Sequence, residues 1–247
     1  MFDIEEFGRI APQWAQRLRY HSELGSTNDE ALRLCEAGVA HGTVVLADHQ
    51  TSGRGRRGAA WMSQSGAGLL FTLILRPQFE KQHWPRLALA AGCAIAQVLQ
   101  ELCGLPAEVK WPNDVLIDGK KCCGILVETR GDYAVVGIGI NVTASPDGEE
   151  SVALADLTPR AVSREALLRA LLDRLSQSTL VCADHFPELV DQVAEMCYLT
   201  GKTIGFSANG ESLSGRALGI SEEGELLVEI DGYVRRFMQA ELVRVIS

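Results

Sequence analysis

Residues 49–61 read HQTSGRGRRGAAW, and the six from Gly53 to Gly58 match the G-x-G-x-x-G spacing of a dinucleotide-binding turn. Read that way, the chain would be a doubly wound parallel sheet. Such a turn has its first glycine closing a strand and its third opening a helix within one βαβ unit. Both demands fail. Residues Asp48 to Ser52 separate the apolar run from Gly53, and the stretch after Gly58, AAWMSQSGAG, is too rich in glycine and serine for a helix. No Walker sequence and no kinase catalytic-loop or D-F-G motif accompanies it. What remains is a flexible loop holding Arg54, Arg56 and Arg57 close together. Arginine keeps its charge and its planar fork grips carboxylate or phosphate oxygens in pairs. The bland alternative is a solvated basic loop, but in an acidic chain an anion-binding role is the better reading.

The rest of the composition sets the frame. The 247 residues carry a net charge of -9, with 47% hydrophobic and 22% charged residues. Those values describe a globular chain able to bury a sizeable core and argue against a surface built for polyphosphate backbones. The acidic start, MFDIEEFGRI, does not resemble an export signal. Leu87 to Leu99 is apolar but too short to cross a bilayer. Seven cysteines with no C-x-x-C spacing suit a reducing cytoplasm and small buried side chains. The five histidines show no metal-ligand spacing.

Working outward from the loop, apolar β-branched runs at 43–49 and 68–77 predict flanking strands. Upstream, 17–26 predicts a strand and turn, and Thr27-x-x-Glu30 has the spacing of a capping box before a short helix ending at Gly38. Residues 83–104 predict a long buried helix capped by Gly104. Residues 107–114, 115–131 and 132–142 predict strands joined by tight turns at Pro112-Asn113-Asp114 and Asp118-Gly119. A polar loop follows at 143–151. Helical periodicity returns at 163–180, with Ser163 as N-cap, and at 186–197. From Tyr198 onward short apolar runs between turn residues predict a small β-barrel. The whole is α+β, with hairpins and helices segregated.

Three further groups can carry chemistry. Lys110, Asn113, Asp114, Lys120 and Lys121 place lysines and a carboxylate about two turns of one hairpin; Asp114 could hold Mg²⁺ or orient an amine. Ser26, Thr27 and Asn28 sit at a helix start, where small polar side chains suit a neutral polar ligand as well as a cap. Gly137-x-Gly139 lies in a strand that another backbone or a ligand approaches closely.

In this order and spacing, GSTND (25–29), DHQTSGRGRRGAAW (48–61), KWPNDVLIDGKKCCGILVE (110–128) and GIGINV (137–142) resemble the biotin protein ligase family, across about residues 20 to 145. The resemblance implies a class II synthetase-like biotin/lipoate ligase catalytic domain over residues 1–197, with a mixed or antiparallel sheet. A small SH3-like barrel over 198–247 would follow. It implies activation of biotin by ATP with Mg²⁺, giving biotinyl-5′-AMP and pyrophosphate, then transfer to a lysine of a biotin carboxyl carrier protein. Ser26, Thr27, Asn28 and Gln50 match biotin-contacting positions. Arg54, Gly55 and Arg56 match the loop that closes over biotin and the adenylate, with Arg56 and Lys121 closest to the chemistry and Gly124 beside them. Arg57, Trp61, Lys110, Asn113, Asp114 and Asn141 match positions near ATP, Asp114 being the candidate metal ligand.

Some members of that family begin with a DNA-binding helix-turn-helix of about sixty residues; with ELGSTND starting at residue 23, neither that domain nor DNA binding is expected. Nor is a membrane partner. A homodimer is left open, and cytoplasmic residence is expected. Ser221 and Ala240 stand where the family usually has aspartate and glycine. A lipoate protein ligase, and a non-catalytic biotin or nucleotide sensor, are the competing readings. The loop 53–58 is expected to be a lid, poorly ordered without ligand, that orders over the adenylate.

Overall fold

The computed structural model describes residues 1–146 and 150–246. Two helices, α1 (Ile4–Ile10) and α2 (Pro12–Ala15), precede β1 (Leu18–Leu24), α3 (Thr27–Glu36), β2 (Val44–Gln50) and β3 (Gly68–Leu75). Helix α4 (Arg86–Cys103) leads into β4 (Ala107–Lys110), β5 (Asp114–Ile117), β6 (Lys120–Arg130) and β7 (Tyr133–Asn141). After α5 (Leu154–Leu157), α6 (Arg164–Asp184) and α7 (Phe186–Glu195) come β8 (Thr203–Ala208), β9 (Glu211–Ile220), β10 (Leu226–Ile230), β11 (Tyr233–Phe237) and β12 (Glu241–Val245). The fold is α+β, as the sequence implies.

The first seven strands form one mixed sheet in the order β1-β2-β3-β7-β6-β5-β4. Only β1 and β2 run parallel; the other neighbours are antiparallel. Alternation sends side chains to opposite faces. Val44, Leu46, Leu73 and Val136 enter the main core with α4 and α6, while Val45, Ile74 and Val135 pack under α3 with Ala31 and Cys35. Strand β7 therefore lies inside the molecule along its whole length, every residue from Tyr133 to Asn141 being buried.

Several local expectations hold. Gly104 ends α4 in the left-handed region at φ 68°, and Ser163 Oγ accepts the Ala166 N–H at the start of α6. Asp118 and Gly119 both have positive φ, the two-residue hairpin geometry that matches strand twist. Other expectations do not. The capping box at Thr27 is absent: Ser26 is the N-cap, it makes no side-chain cap bond, and Glu30 pairs with Arg33. Helix α4 is long and apolar enough, by length and composition alone, to cross a membrane. Its centre is nonetheless covered by α6 and the sheet. Within the loop expected at 143–151, residues 147–149 lie outside the described residues.

Strands β8 to β12 make a second, antiparallel sheet ordered β11-β10-β9-β8-β12. Phe206 on β8 and Phe237 on β11 sit three strands apart, which in a flat sheet would separate them by about 14 Å. Their ring centroids are 4.8 Å apart, so this sheet is strongly curled. It is fastened to the first one. Trp111 Nε1–H donates to Gly224 O at 3.1 Å, the Tyr198 N–H donates to Val109 O at 2.9 Å, and one apolar core runs through both sheets.

At the other end, Asp48 on β2 gathers the N-terminal segment. Its buried carboxylate accepts from Phe2 N–H, Tyr20 Oη (2.7 Å) and Arg164 Nη1 (2.7 Å). Burial pushes the carboxyl upward, but the Tyr20, Phe2 and Arg164 contacts outweigh it and hold the group below its ordinary value. Its stabilisation is therefore present above the unfolded aspartate value and is lost as pH falls through the lower folded one. Breaking such a buried pair costs about 3 kcal/mol. Asp48→Asn is expected to lose that much in urea unfolding at neutral pH, with the gap to wild type narrowing below about pH 4. An equal gap at all pH values would refute this.

Candidate active site

The C-terminal ends of β1 and β2, the start of α3 and the middle of β7 form a buried polar corner. Ser26, Thr27 and Asn28 are each no more than 4% exposed. The Thr27 N–H and hydroxyl both approach Gln50 Oε1, at 2.7 and 3.0 Å. Asn28 Nδ2 donates to Glu128 Oε2 at 2.8 Å, and the Thr72 hydroxyl reaches Asn28 Oδ1 at 2.7 Å and Thr27 Oγ1 at 2.9 Å. The polar side chains at 26–28 thus line a cavity wall instead of capping a helix. Thr72 and Glu128 were not foreseen. Thr72 leaves a trace, as the one hydroxyl in an otherwise apolar, fully buried strand. Glu128 leaves none, because its partners are remote in sequence.

Across from this corner, residues 53–61 form a small closed turn. Arg54 and Ala60 make an isolated antiparallel bridge, and the Trp61 N–H donates to Gly53 O at 2.9 Å. A Cβ on Gly53 would stand 2.4 Å from Trp61 O, so this glycine permits close approach where mobility was expected of it. The turn seats Trp61 on the sheet. Cβ atoms on the cross-strand neighbours Gly124 and Gly139 would lie 2.7 and 2.5 Å from its indole ring, and one on Gly137 would lie 2.1 Å from Asn28 Oδ1. The small residues of β7 make room for two side chains of the protein itself.

The three arginines of the turn are not equivalent. Arg54 makes a two-pronged bond to Glu128 (3.0 and 2.7 Å) and stands 2.7 Å from Asp29; chiefly through its bond to Glu128, its pKa is raised. Arg57, at φ 54°, pairs with Glu241 of β12. Two of the three thus spend their charge on carboxylates of the protein. Arg56 pairs with no carboxylate among the described residues and only donates to Asn113 Oδ1 at 3.2 Å. Burial, and next the neighbouring Arg57, lower its pKa. Asp114 offsets this only in part, and a half-buried guanidinium without an ion pair is costly and favours an incoming anion.

Arg56 faces the β4–β5–β6 hairpins, which bring the predicted cluster together. Lys110 and Asp114 are cross-strand neighbours. Lys121 Nζ stands 2.7 Å from Asp114 Oδ1, near enough for an ion pair but out of line for a directed hydrogen bond. It also lies 5.6 Å from the centre of the Trp61 ring. Lys110 has no salt-bridge partner among the described residues, and burial lowers its pKa. Residues Ala240 to Val245 of the second sheet complete the wall.

Polar corner, turn and cationic cluster line one cavity of about 1080 Å³. It takes in Ser26, Thr27, Asn28, Gln50, Arg54, Gly55, Arg56, Arg57, Trp61, Lys110, Asn113, Asp114, Lys121 and Gly124. Asn141 is the exception. It is 2% exposed, and its Nδ2 donates to Lys121 O and Val152 O, clamping the strand end behind the cavity wall. Among the described residues no three His, Cys, Asp or Glu side chains gather as a metal cage. Mg²⁺ brought in on phosphates needs only one or two carboxylates. Asp114 lines the cavity beside the lysines, its Oδ1 in ion-pair range of Lys121 Nζ but without a directed hydrogen bond, and suits that lesser role.

The sequence pattern of the Biotin/lipoate A/B protein ligase family matches residues 24–143. The bifunctional ligase/repressor BirA of Bacillus subtilis is 34% identical over 252 residues, covering 96% of this chain and 76% of that protein. A biotin--[acetyl-CoA-carboxylase] ligase of Mycobacterium tuberculosis is 32% identical over 227 residues, 89% of this chain and 85% of its own. The biotin protein ligase of Aquifex aeolicus, solved in complex with biotin and ATP, superposes with a TM-score of 0.83 at 31% identity, over 92% of this chain and 98% of that one. With its four motifs on one cavity and this likeness along nearly its whole length, the chain belongs to the biotin protein ligase family of enzymes.

Proposed function

We propose that the cavity joins biotin to AMP and then passes the biotinyl group to a lysine of a biotin carboxyl carrier protein. The observation that carries this reading is Arg56: a half-buried cation without a carboxylate partner among the described residues, held between the polar corner and the lysines. In the first step a biotin carboxylate oxygen attacks the α-phosphorus of ATP, and the bond to the bridging oxygen breaks, releasing pyrophosphate. In the second, the neutral ε-amine of the carrier lysine attacks the biotinyl carbonyl, AMP departs with the electrons of the C–O bond, and the amine loses a proton. The first step crowds negative charges together, which Arg56 and Lys121 offset where the new bond forms.

The other residues divide by chemistry. Ser26, Thr27, Asn28 and Gln50 suit biotin's neutral polar ring, with Gly124 beside them, and Trp61 belongs with the ATP side. Lys110 and Asn113 lie on the ATP side with Arg57; Asp114 would hold Mg²⁺, which supplies further charge neutralisation when bound. We assign residues 1–197 to catalysis and 198–247 to the second unit, whose strand β12 borders the ATP side. The turn at 53–61 acts as a lid, excluding water from the mixed anhydride.

Incubation with ATP, Mg²⁺, an apo carrier domain and labelled biotin or lipoate tests the assignment. Biotin transfer is expected, and label transfer from lipoate alone overturns it. Tight ligand binding without pyrophosphate release would instead indicate a sensor. Arg56→Gly should speed dissociation of biotinyl-AMP roughly 10- to 100-fold and let biotin label lysines indiscriminately. An unchanged dissociation rate removes Arg56 from that role. Lys121→Ala should slow single-turnover adenylate formation about 100-fold while biotin affinity changes less than about threefold; a normal rate removes Lys121 from the mechanism.

A further inference from the structure

Glu128 does not line the cavity, yet it touches two residues that do. Its Oε1 accepts from Arg54 Nη1, and its Oε2 accepts from both Arg54 Nη2 (2.7 Å) and Asn28 Nδ2 (2.8 Å). A carboxylate can only accept, so it fixes which end of the Asn28 amide faces it. Asn28 Oδ1 is thereby turned to the Thr72 hydroxyl and held against Gly137. The same carboxylate grips Arg54 at the root of the lid, opposite Ala60 and two residues before Arg56. The other carboxylate on Arg54, Asp29, is more exposed, at 56% against 26% for Glu128.

We infer that Glu128 is a positioning residue for the adenylation reaction, setting the Asn28 amide on the floor of the biotin site and the root of the lid with a single carboxylate. This rests on the assignment of the polar corner to biotin. Arg54 on this view anchors the lid, each of its two outer nitrogens giving one N–H to Glu128. The two arms are separable. Removing Glu128 frees both Asn28 and Arg54, whereas removing Arg54 frees the lid alone and leaves the Asn28–Glu128 bond in place.

The test compares wild type, Glu128→Ala and Arg54→Ala in pyrophosphate release and in dissociation of preformed biotinyl-AMP. Glu128→Ala is expected to raise the KM for biotin and the dissociation rate each roughly tenfold, while the KM for ATP stays within about twofold. Arg54→Ala should raise the dissociation rate similarly, with the biotin KM within about twofold of wild type. The double variant should release the adenylate no faster than Glu128→Ala alone, because the Arg54–Glu128 link is already broken there. General loosening of the fold would move all three quantities together and would overturn the assignment. So would a Glu128→Ala enzyme with wild-type biotin KM and dissociation rate. Should Glu128→Ala not fold, Glu128→Gln keeps the volume while losing the charge and the two-pronged bond; adenylate dissociation at the wild-type rate then overturns the proposal. A wild-type protein that releases no pyrophosphate with biotin refutes the biotin reading itself, whereas active wild type with unaltered variants refutes only the role of Glu128.

Discussion

Two missing side chains on the central strand make the site possible. Strand β7 is buried from end to end, so any group laid against it must take space that a neighbour gives up. Gly137 yields that space to Asn28 and Gly139 to Trp61. Asn28 brings the start of α3 onto the sheet; Trp61 brings the closed turn. Native interiors are packed too tightly for either contact to coexist with a Cβ. The polar corner, the seat of the turn and the shape between them follow from that strand.

Electrostatics then divides the work. An acidic chain that concentrates arginines in one turn could have left all three for a ligand. It satisfies two internally instead, Arg54 with Glu128 and Asp29, Arg57 with Glu241. The internal pairs tie the turn to β6 on one side and to β12 on the other, and Arg56 is left between them without a carboxylate partner among the described residues. The same division operates on β4 to β6, where Lys121 meets Asp114 and Lys110 pairs with no carboxylate among the described residues.

Much of this was legible in the sequence, and what was not has physical reasons. The long α4, the Asp118-Gly119 hairpin and the Ser163 cap are local matters, decided by periodicity, positive φ and one side-chain bond. The motif residues were also legible, with Asn141 the exception because its polar head turns into the wall. Thr27 was misread as a cap because its spacing to Glu30 satisfies the local rule, while Gln50 and Thr72, which engage its hydroxyl, come from other strands. Glu128 was invisible for the same reason. Helices α1, α2 and α5 are short, and their burial, as with Phe7 and Trp14, comes from packing against the rest of the chain.

Among the described residues the Arg56 charge is not balanced by an ion pair. A half-buried guanidinium without a counter-ion subtracts from the stability of the fold that holds it, and an anion that settles there removes the penalty. At a hundred times its dissociation constant a ligand adds about 2.7 kcal/mol to a folded protein, a large share of the margin by which most domains stay folded. An anion bound beside such a group draws part of its affinity from relief of that penalty.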